Sequence, residues 1–292
     1  MIGITLGDPG GIGPEVVKKA LDTLQLSVPV TCFGPQGDIQ TGDFPITLGA
    51  PSAGNGHHAY QAIALAVKWV QSDPGRVLVT APISKTSMAM AGAPAFDHTT
   101  LLAQLTGTEN VRMGFYSPTL STVLHSIHIP LAKVPDTLTA ESLALTATRA
   151  FQFAKDLGIN APRMSLAGLN PHAGEGGLMG DEERQILTPF VAAWNQAHPE
   201  CLISGPYPPD TLYHRAHKGE FDMVISLYHD QGLIPLKLIA FDRAVNVTLG
   251  LPFVRTSPDH GTAFEIAGQD KANPSAMIAA IETALRLSYA RR

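Results

Sequence analysis

Two observations predict an α/β fold with a mainly parallel sheet. Short β-rich runs alternate with segments of helical periodicity, and several of those runs end in loops crowded with Gly, Pro and ionisable residues. Residues 2–6 read as a first strand. Residues 14–24 follow as a helix, with Pro14 early and Glu15 in the first turn. Apolar residues at helical spacing (Ile63, Val67, Val70) mark a second helix over 56–72. A short strand is expected over 77–80 and a helix over 99–105, with Asp97 or His98 near its cap. Strand character returns over 122–129, then a long helix over 140–157. A strand over 163–169, a helix over 181–196, strands over 223–228 and 245–249 and a helix over 274–289 complete the pattern.

The 292 residues suffice for one large domain or two lobes, and 45% hydrophobic content excludes disorder. A net charge of −5 argues against a nucleic-acid binder. The two cysteines, Cys32 and Cys201, make no disulfide framework. The longest apolar stretches are broken before the ~18 residues that a membrane span requires. The first residues read as a strand, not as a signal peptide. A cytoplasmic protein that binds neither membrane nor nucleic acid is expected.

The loops carry the chemistry. Gly7-Asp8-Pro9-Gly10-Gly11-Ile12-Gly13-Pro14-Glu15 follows the first strand, and Ala81-Pro82-Ile83-Ser84-Lys85 a later one. Asn170-Pro171-His172-Ala173-Gly174-Glu175-Gly176-Gly177 and His229-Asp230-Gln231-Gly232 end two more. In open parallel sheets, ligands bind beyond the carboxyl ends of the strands. The first loop is either a phosphate cradle or a tight strand–helix turn; it matches neither the dinucleotide fingerprint nor the P-loop.

Three of the 11 histidines, His128, His172 and His229, sit at strand ends. Imidazoles suit Zn²⁺ and Co²⁺, and three protein ligands leave open positions; ordinary hydrogen-bonded histidines are the competing reading. His125 and His128, three apart in one expected strand, would face opposite sides. His57, His58, His198, His214 and His217 lie in polar contexts and read as solvated. His98 and Thr99 at a helix start could hold a phosphate, or Asp97 and Thr99 could merely cap. Lys237, Asn246 and Arg255 stand in strand-like apolar runs, where an anionic substrate or a salt bridge would offset the cations. Asp259-His260 is an acid/base pair or a structural turn. Without a Gly-x-Ser-x-Gly elbow, nucleophilic hydrolase chemistry is disfavoured.

These segments, in this order, resemble the 4-hydroxythreonine-4-phosphate dehydrogenase family, the NAD-dependent enzymes of pyridoxal 5′-phosphate biosynthesis. The likeness includes the loop 7–15, His128-Ile129-Pro130-Leu131, 168–177 and Tyr228-His229-Asp230-Gln231-Gly232-Leu233. It continues through 245–253, Arg255-Thr256-Ser257 and Asp259-His260-Gly261-Thr262-Ala263. The resemblance implies two α/β/α lobes with an interlobe cleft, like isocitrate and isopropylmalate dehydrogenases and not a Rossmann fold. The expected lobes are 1–92 plus 250–292, on the nucleotide side, and 93–249. It implies a metal on His128, His172 and His229, with Zn²⁺ the most natural ion and Co²⁺ or Mg²⁺ possible. It implies substrate contacts from His98, Thr99, Lys237, Asn246 and Arg255, and a homodimer whose metal site is completed across the subunit interface. Two departures stand out. Asp97-His98-Thr99-Thr100 replaces the usual Gly-His-Thr-Glu, and the region from 31 to 55 is shorter than in typical members.

The expected reaction is NAD- or NADP-dependent oxidation of 4-phosphooxy-L-threonine to a β-keto acid, which decarboxylates to 3-amino-2-oxopropyl phosphate. Asp230, Asp259 and Lys85 are the candidate bases; the two aspartates could instead orient a ligating imidazole. The alternatives are a dehydrogenase of threonate or erythronate 4-phosphate, a metal-dependent phosphate-ester hydrolase, and a sugar-phosphate sensor without chemistry.

Overall fold

Proline and glycine punctuation, apolar periodicity and side-chain caps set the elements in the computed structural model, which describes residues 1–290. The first part of the chain forms β1 (Ile2–Thr5), α1 (Gly13–Thr23), β2 (Val30–Phe33), α2 (Ala53–Gln71), β3 (Val77–Thr80), α3 (Lys85–Met90) and α4 (His98–Thr106). The middle forms β4 (Arg112–Tyr116), β5 (Ser121–Leu124), α5 (Ala140–Asp156), β6 (Met164–Ala167), α6 (Thr188–Ala197), β7 (Ile203–Tyr207), α7 (Pro209–His217), β8 (Met223–Ser226) and α8 (His229–Ala240). The chain then makes β9 (Val245–Leu249), β10 (Arg255–Pro258) and α9 (Ser275–Ala290).

Two compact units result, Met1–Val111 with Asp242–Arg292, and Arg112–Phe241. The limits differ from the expected 1–92 plus 250–292 and 93–249. Helix α4 groups with the first unit because Leu101 and Leu102 enter one core with Ile63, Val67, Leu78 and Met88. Strand β9 joins it by pairing with β10, Asn246 opposite Ser257.

In the first unit the strand order is β2-β1-β3-β10-β9. It is parallel except for the antiparallel β10–β9 pair. In the second unit the order is β4-β5-β8-β6-β7, parallel except for β4–β5. The mainly parallel expectation therefore meets one antiparallel pair in each unit. Buried Leu143, Ala147, Ala150, Phe153 and Ala154 line α5 at helical spacing. That helix starts where the Thr139 hydroxyl accepts the Ser142 N–H at 3.1 Å.

Several local expectations are corrected. The apolar run after His229 is a helix, α8, with Pro235 inside it. Its inward Leu233 and Leu236 and outward Ile234 and Leu238 are all apolar, which hides the helical period. The helix expected over 181–196 is a π turn, Glu183–Leu187, followed by α6. His58 is not solvated: it is 2% exposed, with Nδ1 2.6 Å from the Thr41 hydroxyl and Nε2 3.0 Å from the Phe44 carbonyl. It ties the loop over 41–48 to α2.

The strand over 122–129 stops at Leu124, so face alternation does not relate His125 to His128. His125 is buried, its ring nitrogens 3.1 Å from Thr146 Oγ1 and 3.0 Å from the Thr137 carbonyl oxygen. Burial, with Arg112 nearby, pushes its pKa from 6.5 down to about 4. In the unfolded chain this imidazole takes a proton as pH falls below 6.5, while the folded form refuses it until about 4. Stability is therefore lost on acidification across that window, by roughly 3 kcal/mol from this residue. Melting temperatures measured from pH 7 to pH 4 are expected to flatten in H125Q relative to the native protein; an unchanged slope would remove His125 as the cause.

Candidate active site

Three loops at the carboxyl ends of β5, β8 and β6 in the second unit carry the ligand-type histidines, and hydrogen bonds from side chains to main-chain atoms stitch them together. The Ser126 hydroxyl donates to the Leu227 carbonyl at 2.7 Å, joining the loop of His128 to that of His229. Gln231, buried in the first turn of α8, accepts the Leu227 N–H at 2.6 Å and donates from Nε2 to the Gly168 carbonyl at 2.6 Å. That second bond reaches the stem of the loop that carries His172.

His128 and His229 lie side by side, their ring centroids 5.6 Å apart. They line a cavity of about 310 Å³ with Ile127, Ile129, Leu131, Val134, Tyr228 and Asp230. His229 Nδ1 is 2.6 Å from the Asp230 carboxylate, which holds the Nδ1–H tautomer and leaves Nε2 with a lone pair. Two adjacent imidazoles, one oriented by a carboxylate, are the donor chemistry that a divalent transition metal takes. His172 is exposed on its own loop. Among the described residues of this one chain, no three His, Cys, Asp or Glu side chains come close enough to hold a metal ion.

The loop of His172 is locally strained. Residues 172–176 all have positive φ, and His172, Ala173 and Glu175 are not glycine. Each such residue costs roughly 1–2 kcal/mol relative to ordinary backbone. The conformation is held from within by Glu183, 4% exposed. Its Oε1 accepts the N–H groups of Leu169 at 2.6 Å and Asn170 at 2.8 Å, and its Oε2 accepts Asn170 Nδ2 at 2.9 Å.

The first unit holds the anion-type residues. Arg255, on β10, is 1% exposed. Its Nε and Nη2 donate to the Thr80 hydroxyl at 3.2 and 2.6 Å, and Nη1 donates to Thr248 at 2.9 Å. Three of five N–H groups are thus used, none on a carboxylate. Burial pushes this guanidinium down to about 9, with Asp97 partly offsetting the effect. His98 Nε2 is buried without a hydrogen-bond partner, as is Asn246 Oδ1. Burial and the Arg255 charge hold His98 well below 6.5, so it is a neutral imidazole at physiological pH. Thr99, 6% exposed, lies in the first turn of α4. Asp97 is the N-cap: its carboxylate accepts the Thr100 N–H at 3.0 Å and the Thr100 hydroxyl at 2.9 Å. The Asp-x-x-Thr departure is thereby a matched capping pair.

A second cavity of the first unit, about 510 Å³, lies against the glycine-rich first loop. Its lining includes Pro9, Gly11, Glu15, Leu48, Gly268 and Asp270. Glu15 Oε1 accepts the Ala272 N–H at 2.7 Å and Lys19 Nζ at 2.9 Å, while Oε2 is buried without a partner.

Of the remaining sequence candidates, Lys85 is exposed at the start of α3. Asp259 is half-buried after β10, and Lys237 is half-buried on α8. Sequence reasoning did not single out Thr80, Thr248, Glu183 or Gln231. Gln231 stands inside the His-Asp-Gln-Gly segment, where its uncharged amide carries no metal-type or anion-type signal of its own.

Two units of largely parallel sheet, with reactive residues at strand ends, place the molecule in the fold class of isocitrate dehydrogenase. The enzyme from Methylococcus capsulatus matches with TM-score 0.56 over 99% of this chain and 87% of its own, at 17% identity. More specifically, the chain belongs to the family of the pyridoxal phosphate biosynthetic protein PdxA, whose model matches residues 13–284. It is 39% identical to the 4-hydroxythreonine-4-phosphate dehydrogenase of Desulfosudis oleivorans, over 98% of this chain and 95% of the relative. It is equally 39% identical to the D-threonate 4-phosphate dehydrogenase of Pectobacterium atrosepticum, over 99% of both chains. The crystal structure of the Klebsiella pneumoniae 4-hydroxythreonine-4-phosphate dehydrogenase matches with TM-score 0.84 at 36% identity, covering 99% of each chain.

Proposed function

We propose that this protein is a metal-dependent, nicotinamide-linked dehydrogenase of 4-phosphooxy-L-threonine that acts in pyridoxal 5′-phosphate biosynthesis. The secondary alcohol is oxidised, and the resulting β-keto acid loses CO₂ to give 3-amino-2-oxopropyl phosphate. Family membership carries the reaction class. The single structural observation that supports an anionic substrate is Arg255, a buried cation without a carboxylate partner, beside the orphaned His98 Nε2. Arg255, His98, Thr99 and Asn246 bind and orient the phosphorylated acid, and Lys237 adds a second cation. The neutral state of His98 lets it meet a ligand as donor or acceptor without carrying charge.

His128, His172 and His229 are the proposed metal ligands, with Asp230 fixing the tautomer of His229. A divalent ion there, Zn²⁺ the most natural and Co²⁺ or Mg²⁺ possible, supplies Lewis-acid polarisation of the substrate hydroxyl. Asp259 and Lys85 are the proton-accepting candidates, distinguished by which replacement removes the acidic limb of the pH–rate profile. The dinucleotide, NAD or NADP, is assigned to the first unit. Glu15, which lines the larger cavity and has an Oε2 without a partner, is the residue proposed to meet a ribose hydroxyl.

A homodimer is supported by α8, which begins at His229. Ile234 and Leu238 stand on its outer face and Phe241 just beyond its end, exposed by 66, 86 and 65%. A second copy covering them would also bring another set of histidines to a pair that lacks a third ligand. Among the described residues no helix is long and apolar enough to cross a membrane, and a cytoplasmic location is proposed.

The second reading, a threonate 4-phosphate dehydrogenase, is favoured by the equal identity to that relative and by the altered Asp97–Thr100 segment. A panel of 4-phosphorylated hydroxy acids, followed at 340 nm with NAD and with NADP, separates the two. The highest kcat/KM is expected on 4-phosphooxy-L-threonine. Preference for threonate phosphate selects the second reading, and phosphate release without reduced nucleotide would overturn both in favour of hydrolysis.

A further inference from the structure

We propose that Glu183 is a positioning residue for metal binding, its buried carboxylate holding the left-handed turn over 172–177 that presents His172. The inference rests on the reading of His172 as a metal ligand. Glu183 is nearly inaccessible, yet no Lys, Arg or His among the described residues pairs with it. A buried carboxylate without a counter-cation is costly unless N–H dipoles replace its water. Three N–H donors do so, and all of them belong to Leu169 and Asn170, the stem of the His172 loop.

The other side of the same carboxylate touches the crown of the loop. A Cβ on Gly174 would lie 2.8 Å from Glu183 Oε2, so the backbone of the turn closes directly over that oxygen. On the stem, a Cβ on Gly168 would lie 3.2 Å from Oε1. The carboxylate therefore fills the inside of the turn and contacts its beginning and its top. Consecutive residues with positive φ persist only where their surroundings over-determine them. Main-chain bonds from Ala173 N–H to the Asn170 carbonyl and from Met179 N–H to the Gly174 carbonyl brace the turn, and the side chain that fills it is Glu183, delivered by the π turn that opens there. Asn170 adds a second tie, its Nδ2 also donating to Glu182 at 2.6 Å. Without the Glu183 carboxylate the stem amides lose their acceptors, the turn relaxes toward ordinary backbone, and the imidazole of His172 is no longer held at one place.

The test is calorimetric titration of the metal-free, full-length protein with Zn²⁺, paired with the visible spectrum of the Co²⁺-loaded protein. Native protein, E183A, E183Q and H172A are compared. E183A is expected to weaken Zn²⁺ binding by up to about 100-fold and to shift the Co²⁺ bands. E183Q retains an oxygen for the two stem amides but turns an NH₂ toward Asn170, and about a 10-fold loss is expected. This ordered recovery would not accompany a merely structural role. If E183A does not fold, as judged by circular dichroism, E183Q carries the test. Native affinity and an unchanged spectrum in the Glu183 variants, with Zn²⁺ binding lost in H172A, would overturn the positioning role alone. Native affinity in H172A would overturn the ligand assignment, and the positioning role with it.

Discussion

Replacing Arg255 with methionine is expected to raise the melting temperature while removing most of the activity. The two effects share one cause. Arg255 is a fully desolvated cation that donates only to the hydroxyls of Thr80 and Thr248. Burial pushes its pKa down because the folded protein solvates the charge poorly. A buried cation without an ion-pair partner keeps its desolvation cost, and an apolar side chain of similar volume removes that cost, a gain on the order of 1–4 kcal/mol. The buried hydroxyls of Thr80 and Thr248 lose their donor and offset part of that gain. The same charge is the main counterpart proposed for the substrate's anionic groups. Its removal is expected to lower kcat/KM by roughly 10²–10³-fold, the cost of truncating one side of a buried charge-assisted pair. Thermal melts and initial rates on the same preparations decide the matter. A less stable variant with near-native kcat/KM would show that Arg255 is a structural residue.

Leu238→Asp is expected to convert the proposed dimer into a monomer and to weaken the proposed metal site as well. Leu238 is 86% exposed on α8, one turn from Ile234 and three residues before Phe241. A carboxylate there disturbs little within its own chain, so secondary structure and melting behaviour should change little. Across a subunit interface it would be an unpaired, desolvated charge, which costs several kcal/mol. With the second copy gone, His128 and His229 remain a two-imidazole site, and bound Zn²⁺ should fall below stoichiometric levels. Sedimentation velocity and metal analysis read the two effects independently. A native sedimentation coefficient would sink the interface assignment, and a zinc-replete monomer would show that one chain completes its own site.

Much of this was legible in the sequence, for identifiable reasons. The β–α alternation is a local, periodic signal, and it placed β1, β3, β6, β8 and β9 within a few residues. The glycine-rich loops with histidines were conspicuous because such residues are out of place unless they have a task. Strand β7 was hidden by Gly205 and Pro206, residues that usually break strands but are tolerated at a sheet edge. Helix α8 was hidden because its outer face is as apolar as its inner one. Glu183 was illegible because it stands in the acidic run Asp181-Glu182-Glu183, which reads as a solvated helix start. Only the fold shows that the third of these carboxylates turns inward. Thr80 and Thr248 look like ordinary strand residues, and their shared grip on Arg255 depends on β3 and β9 flanking β10.

The peptide of Leu227 gives its carbonyl to Ser126 and its N–H to Gln231, and Gln231 in turn reaches the carbonyl of Gly168. Each of these bonds joins the side chain of Ser126 or Gln231 to a main-chain atom, so the stitching is indifferent to which side chains hang from residues 127–129 or 169–173. A frame of that kind can keep its register while the groups it displays are exchanged. New selectivity toward small acids could then arise by altering individual side chains, with no need to rebuild the scaffold beneath them.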